Sequence, residues 1–157
     1  MFGPAYSEAL PFDRVKYGCL NTSGDEAGVN LARRYGDCHF ILRESVRTRT
    51  TITNHDSAGF HPLSHRIGTS EHYAHIMQTF TNSELKAALE VGTGLHLNGI
   101  SSGHMSTYKE IQIHGPLKLS EHIEALVIPF TSDTPALRAL AGEFSRKFGI
   151  KIIWLSA

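Results

Sequence analysis

Tyr108-Lys-Glu-Ile-Gln-Ile-His114, closed by Gly115-Pro116, is the most regular stretch of the chain and decides how the rest is read. Apolar and polar residues alternate with period two, so a strand here carries Ile111 and Ile113 on one side and Glu110, Gln112 and His114 on the other. Neighbours on one side stand about 7 Å apart. A carboxylate, an amide and an imidazole in that row can line a cleft together. A strand whose outer face meets water shows the same alternation. The two readings stand about even on the pattern alone, and the choice of Glu, Gln and His over Lys, Thr and Ser shifts the balance slightly toward a site.

Working outward, His122 to Pro129 forms a second apolar strand, and Ile150 to Leu155 a last one. Between them Thr134-Pro135 opens a helix that runs to Phe148, with Gly149 as its C-cap. Towards the N-terminus, Val15 to Leu20, Cys38 to Leu42 and Val46 to Thr53 are predicted strands. Asp25 to Arg34 fits a short helix capped by Ser23 or Asp25. Ser70 to Thr79 and Ser83 to Glu90 fit two more, the latter capped by Asn82 or Ser83. Residues 54–69 and 93–107 are polar or glycine-rich and are expected as loops, the second long enough to suggest a function. Residues 1–12, with Pro4 and Pro11 and little periodicity, make a lead-in arm to one domain over 13–157. The fold class is therefore α+β, a mainly antiparallel sheet with flanking helices.

The chain has 157 residues, enough for one domain with a real core. Lys plus Arg equals Asp plus Glu, 15 against 15. No global field attracts nucleic acid or an acidic membrane, so any anion site has to be local. No apolar run approaches the roughly 20 residues that span a bilayer. The first residues lack the basic and apolar regions of a cleavable secretory signal. A cytoplasmic location, or delivery into a host cell by a route without such a signal, is expected. Cys19 and Cys38 both fall on predicted strands and are expected as buried free thiols.

Other candidates come from local chemistry. Gly18 inside a strand invites close approach by a ligand, although an edge bulge is its commoner meaning. Arg14 can fork onto a phosphate and Asn21 can offer an amide. The threonine-rich strand with Thr50 and Thr51, and the turn with Ser57, matter if they lie beside Glu110. His61 and His65, and His72 and His75, have spacings that zinc sites use. No His-Glu-x-x-His motif and no second pair at finger spacing accompany them, so surface histidines and no metal are expected.

Taken together, these segments resemble a bacterial family with an Arg-x-x-Tyr-Gly-x-Leu-Asn block, here Arg14, Tyr17, Gly18, Leu20 and Asn21. Tyr35-Gly36-Asp37, Arg49-Thr50-Thr51 with Asp56-Ser57, the Tyr-x-Glu-x-Gln-x-His-Gly block from Tyr108 to Gly115, and Ile123 to Val127 extend the likeness over most of residues 12–155. That family is similar to the ADP-ribosyltransferases, whose catalytic glutamate opens a strand. The resemblance implies an ADP-ribosyltransferase-like split sheet and NAD as the ADP-ribose donor. It maps the catalytic role to Glu110. Arg14 is then expected on the pyrophosphate, Tyr17 and Gly18 at the nicotinamide, Asn21 at the cofactor, and Thr50, Thr51 and Ser57 at the ribose. Gln112 and His114 are expected to position the acceptor.

Tyr108 stands where arginine-modifying members carry a first glutamate, so the resemblance points to a protein acceptor other than arginine. A threonine of ubiquitin, modified by related pathogen effectors, is the first to test. A mono-ADP-ribosyltransferase, acting as a monomeric toxin or effector, is the expectation. Two alternatives are an ADP-ribosyltransferase-like binding domain without activity and an enzyme resembling the RNA 2′-phosphotransferases. The neutral charge argues against the RNA substrate.

Overall fold

The computed structural model describes residues 2–58, 66–94 and 108–156. Among the described residues seven strands form two sheets: β1 (Lys16–Cys19), β2 (His39–Leu42), β3 (Thr50–Thr53), β4 (Gly68–Thr69), β5 (Glu110–Ile113), β6 (Ile123–Ile128) and β7 (Lys151–Trp154). Four strands lie in the order β1-β5-β3-β4, all antiparallel neighbours. The other three lie in the order β2-β6-β7, with β2 antiparallel and β7 parallel to β6. The architecture is α+β with antiparallel-rich sheets.

The period-two stretch supplies β5 at the centre of the first sheet, where β1 and β3 use both of its edges. Register fixes who faces whom: Glu110 stands opposite Cys19 and Thr53, and Gln112 opposite Tyr17 and Thr51. Ile113 is 3% exposed, but so in effect is the polar side, with Glu110 at 4% and Gln112 at 0%. The polar face of this strand is therefore buried and not a solvated outer face.

The second sheet carries a large share of the apolar core on β6. Ile123, Ala125 and Val127 alternate inward along β6, and Ile128 and Ile150 are buried beside them. Parallel β6 and β7 need a crossover. It is α4 (Pro135–Phe148), with Thr134 Oγ1 accepting from Leu137 N–H at 3.2 Å and Pro135 in its first turn. Gly149 closes it in the left-handed region at φ 67°. Leu137, Ala141, Phe144 and Phe148 fall on one helical stripe, and Phe144 stacks on Phe40 of β2 at 6.3 Å.

Three short elements depart from the sequence pattern. Instead of a helix over 25–34 there is a turn followed by a 3₁₀ helix over Asn30–Tyr35. Gly28 sits at φ 80°, and a Cβ there would lie 3.0 Å from the His39 ring, so the helix breaks at that point. The strand expected from Val46 is confined to Thr50–Thr53. Before it, Glu44–Arg49 winds as a 3₁₀ helix that buries Val46, and Thr50 Oγ1 donates to Val46 O at 2.9 Å. Of the helix over 70–79 only α1 (Ala74–Met77) forms, because Thr69 and His72 exchange backbone hydrogen bonds in a tight turn just ahead of it. The next helix, α2 (Asn82–Thr93), is capped by Thr81 rather than Asn82 or Ser83. Thr81 and Glu84 form a reciprocal capping box. A single turn, α3 (Leu119–His122), leads into β6.

The expected loop over 54–69 contains β4 at its end, while its residues 59–65, with His61 and His65, lie outside the described residues; so do 95–107. Both cysteines are free, as expected, but only Cys19 is partly buried; Cys38 is exposed, one residue before β2 begins. Among the described residues no helix is long and apolar enough to cross a membrane.

Burial gives a pH signature. It pushes the imidazoles of His39 and His114 below their ordinary pKa, with Asp25 acting against this at His39. A folded pKa below the unfolded value of about 6.5 contributes stability that is complete above that value. It is lost as pH falls through the folded pKa. Thermal unfolding is therefore expected to move to lower temperature between about pH 7 and pH 5, and His39→Gln is expected to flatten that slope. An unchanged slope in the variant would remove His39 from the account.

Candidate functional site

The buried polar side of β5 is organised around the Glu110 carboxylate. Ser57 N–H donates to Oε2 at 3.2 Å, and Gln112 Nε2 donates to Oε1 at 2.8 Å. Gln112 Nε2 also donates to Thr53 Oγ1 at 3.1 Å, and Thr53 passes its own proton to His55 O at 2.8 Å. On its other end Gln112 Oε1 accepts from Thr51 Oγ1 at 2.8 Å, and Thr51 Oγ1 lies 3.0 Å from His114 Nε2. The hydroxyls of Thr51 and Thr53 and the amide of Gln112 each give their protons to an acceptor at hydrogen-bonding distance. A carboxylate that is nearly inaccessible is thus held by amide donors.

The phenol of Tyr108 donates to Gly18 O at 3.4 Å and is held well above its usual pKa, first by burial and then by Cys19, Glu110, Tyr35 and Asp56. Burial likewise raises the Cys19 thiol, which keeps it protonated and weakly nucleophilic. Asp56, next to the Ser57 amide, pairs with Arg34 at 2.8 Å. Arg34 in turn lies over the exposed ring of Tyr35 at 4.9 Å. At the far end of the strand Arg49 donates to His114 O, and its second terminal nitrogen is buried without a hydrogen-bond partner.

Of the residues singled out from sequence, Glu110, Gln112, His114, Thr51 and the Ser57 amide come together, and Tyr17 shares their face with its side chain 56% exposed. The others do not. Thr50 points to the opposite face, its hydroxyl spent on Val46 O. Asn21 donates to Asp25 O at 2.8 Å and accepts from Ser23, so its amide is used in the turn after β1. The missing Cβ of Gly18 faces Ile111 at 3.3 Å, on the isoleucine side. Room for a ring near Glu110 is therefore not what that glycine supplies. Arg14 donates to Ala9 O and precedes β1 at its His114 end, whereas Cys19 at the other end faces Glu110.

A cavity of about 370 Å³ lies on the isoleucine side, lined among others by Leu20, Val46, Ile52, Ile76, Phe80 and Ile111. Neither Glu110 nor Gln112 nor His114 contributes to it. Among the described residues no group of three His, Cys, Asp or Glu side chains could hold a metal ion. His72 is exposed and His75 contacts Ile67 O at 3.1 Å.

Thr53, Cys19 and Tyr6 belong to this neighbourhood although the sequence reading gave them no place in the site. For Thr53 a signal existed, because it alternates with Thr51 along one strand. For Tyr6, in an arm without periodicity, there was none. No family model matches the chain, and no curated protein matches it.

Proposed function

We propose that the protein is an NAD-dependent mono-ADP-ribosyltransferase acting on a protein acceptor, with Glu110 as its catalytic carboxylate. The observation that carries this reading is a glutamate 4% exposed, fixed on a central strand by Ser57 N–H and Gln112 Nε2. None of its hydrogen-bond partners is a cation, so its charge is available to a positive centre that develops beside it. In this reading the bond between nicotinamide and ribose loosens towards an oxocarbenium-like state. Glu110 accepts the ribose 2′-hydroxyl and offsets the charge. The two sheets would then be the halves of an ADP-ribosyltransferase-like split sheet, and exposed Tyr17 would cover the nicotinamide.

The test is incubation of the protein with NAD and candidate acceptors, ubiquitin first, followed by mass spectrometry. ADP-ribose on a threonine is the expected product. No release of nicotinamide and no ADP-ribose on any acceptor would defeat the reading. One observation favours a second reading, a binding domain without turnover: both oxygens of Glu110 already have partners within the chain. NAD that raises the unfolding temperature without being consumed would select it.

A further inference from the structure

We propose that the amino-terminal arm is part of the site. Tyr6 is a positioning residue whose hydroxyl donates to Nδ1 of the neutral His114 ring and fixes its proton on Nε2, and so completes a one-way chain of hydrogen bonds that ends on Glu110.

The direction of the chain follows from its fixed ends. An ionised carboxylate only accepts, so the Gln112 nitrogen must face Glu110 and its oxygen must face Thr51. Thr51 therefore spends its only proton on Gln112, and its oxygen can only accept from His114 Nε2 at 3.0 Å. In a neutral ring Nδ1 then carries the lone pair. The Tyr6 hydroxyl lies 2.6 Å from that nitrogen and is its donor. While the ring is neutral this bond fixes the tautomer: the phenol gives its proton to Nδ1, and the ring proton stays on Nε2.

Packing agrees with this placement. Tyr6 closes a 3₁₀ helix over Gly3–Tyr6, and Phe2 at the head of that turn meets the His114 ring edge-on with centroids 5.0 Å apart. The groups that face His114 are few. Arg49, ahead of β3, donates to its carbonyl, and Lys16 of β1 donates to Gly115 O at 3.1 Å. Both cations contact the backbone, and Glu110 is reached only through Thr51 and Gln112. Tyr6 is thus the group that meets the free nitrogen of the ring. His114 therefore does not present a vacant base to an acceptor while the arm is seated; Tyr6 stands between them.

The bearing of this contact on transfer rests on the proposed role of Glu110, but its test does not. Imidazole nitrogen resonances of His114 are followed through a pH titration by NMR in the full chain without NAD. The samples are wild type, Tyr6→Phe and Phe2→Leu. In the wild type the proton is expected on Nε2, with Nδ1 showing the shift of a hydrogen-bond acceptor. In Tyr6→Phe the Nδ1 resonance is expected to lose that shift, and the preference of the neutral ring for the Nε2 proton to fall roughly fivefold, the worth of one neutral hydrogen bond. Phe2→Leu, which keeps the hydroxyl, is expected to leave the tautomer in place. A proton on Nδ1 in the wild type, an Nδ1 resonance unmoved in Tyr6→Phe, or an equal effect in Phe2→Leu would each overturn the proposal. Nicotinamide release on the same samples separates the two readings. Its absence in the wild type defeats the transferase alone, since the spectra decide the place of Tyr6 without NAD.

Discussion

Lys109→Ala is expected to lower the free energy of unfolding by about 3–5 kcal/mol, the usual effect of breaking one side of a buried ion pair. Lys109 and Glu84 are each 1% exposed, with Nζ and Oε1 2.5 Å apart, and the ammonium also lies 4.4 Å from the centre of the Phe80 ring. Burial pulls the Lys109 pKa down, while the bond to Glu84 acts the other way. The pair is thus costly to bury and kept by geometry, and removing the ammonium leaves the Glu84 carboxylate in the interior without it. Glu84 has a second task, since its Oε2 accepts Thr81 N–H at 2.7 Å and so caps α2.

The double variant Lys109→Met with Glu84→Gln separates these tasks. Glutamine keeps the capping box, methionine fills the volume, and no charge is buried. It is expected to recover most of the loss, to within about 1–2 kcal/mol of the wild type. Chemical denaturation measures all three proteins. A Lys109→Ala effect below about 1 kcal/mol would show that the pair does not anchor α2 to β5.

How far the sequence discloses this molecule depends on whether a signal is local. The alternation of 108–114 places β5, and the Thr-Pro start and Gly149 end place α4 to the residue, because caps and period are written in consecutive positions. Val46 was different: an apolar β-branched residue reads as strand, yet a 3₁₀ turn buries it just as well. Gly28 is legible as a turn residue but not as the contact of His39, which lies eleven positions away in sequence. The polar face of β5 could be read; its burial could not, since that depends on Thr51, Thr53 and the Ser57 amide arriving from β3 and the turn beyond it. Thr50 is the opposite case: parity alone sends it to the isoleucine side once Thr51 is assigned to the face of Gln112. Tyr6 depends on a contact 108 residues long and left no trace in the sequence.

Glu110→Gln is expected to lower ADP-ribose transfer about 100- to 1000-fold, the scale on which a single preorganised electrostatic group acts in a transition state. The substitution keeps the size of the side chain and removes its charge, so ground-state packing of NAD changes little while the charge developing on the ribose goes unanswered. Its cost to the fold can be read from the two bonds. Glu110 accepts at both oxygens, from Ser57 N–H and from Gln112 Nε2. An amide offers one oxygen, so one donor then faces an NH₂ group and loses its acceptor, a cost of about 1–3 kcal/mol. The variant is therefore expected to fold, with a lower unfolding temperature and the circular dichroism of the wild type. Gln112→Leu supplies the complementary case: the charge of Glu110 stays, but its positioning donor goes and Thr53 and Thr51 lose their partner. Transfer should fall less than in Glu110→Gln, while stability falls more, because a 0% exposed amide in three hydrogen bonds is replaced by an apolar group among polar neighbours. Transfer at the wild-type rate in folded Glu110→Gln would remove this carboxylate from the chemistry and with it the transferase reading.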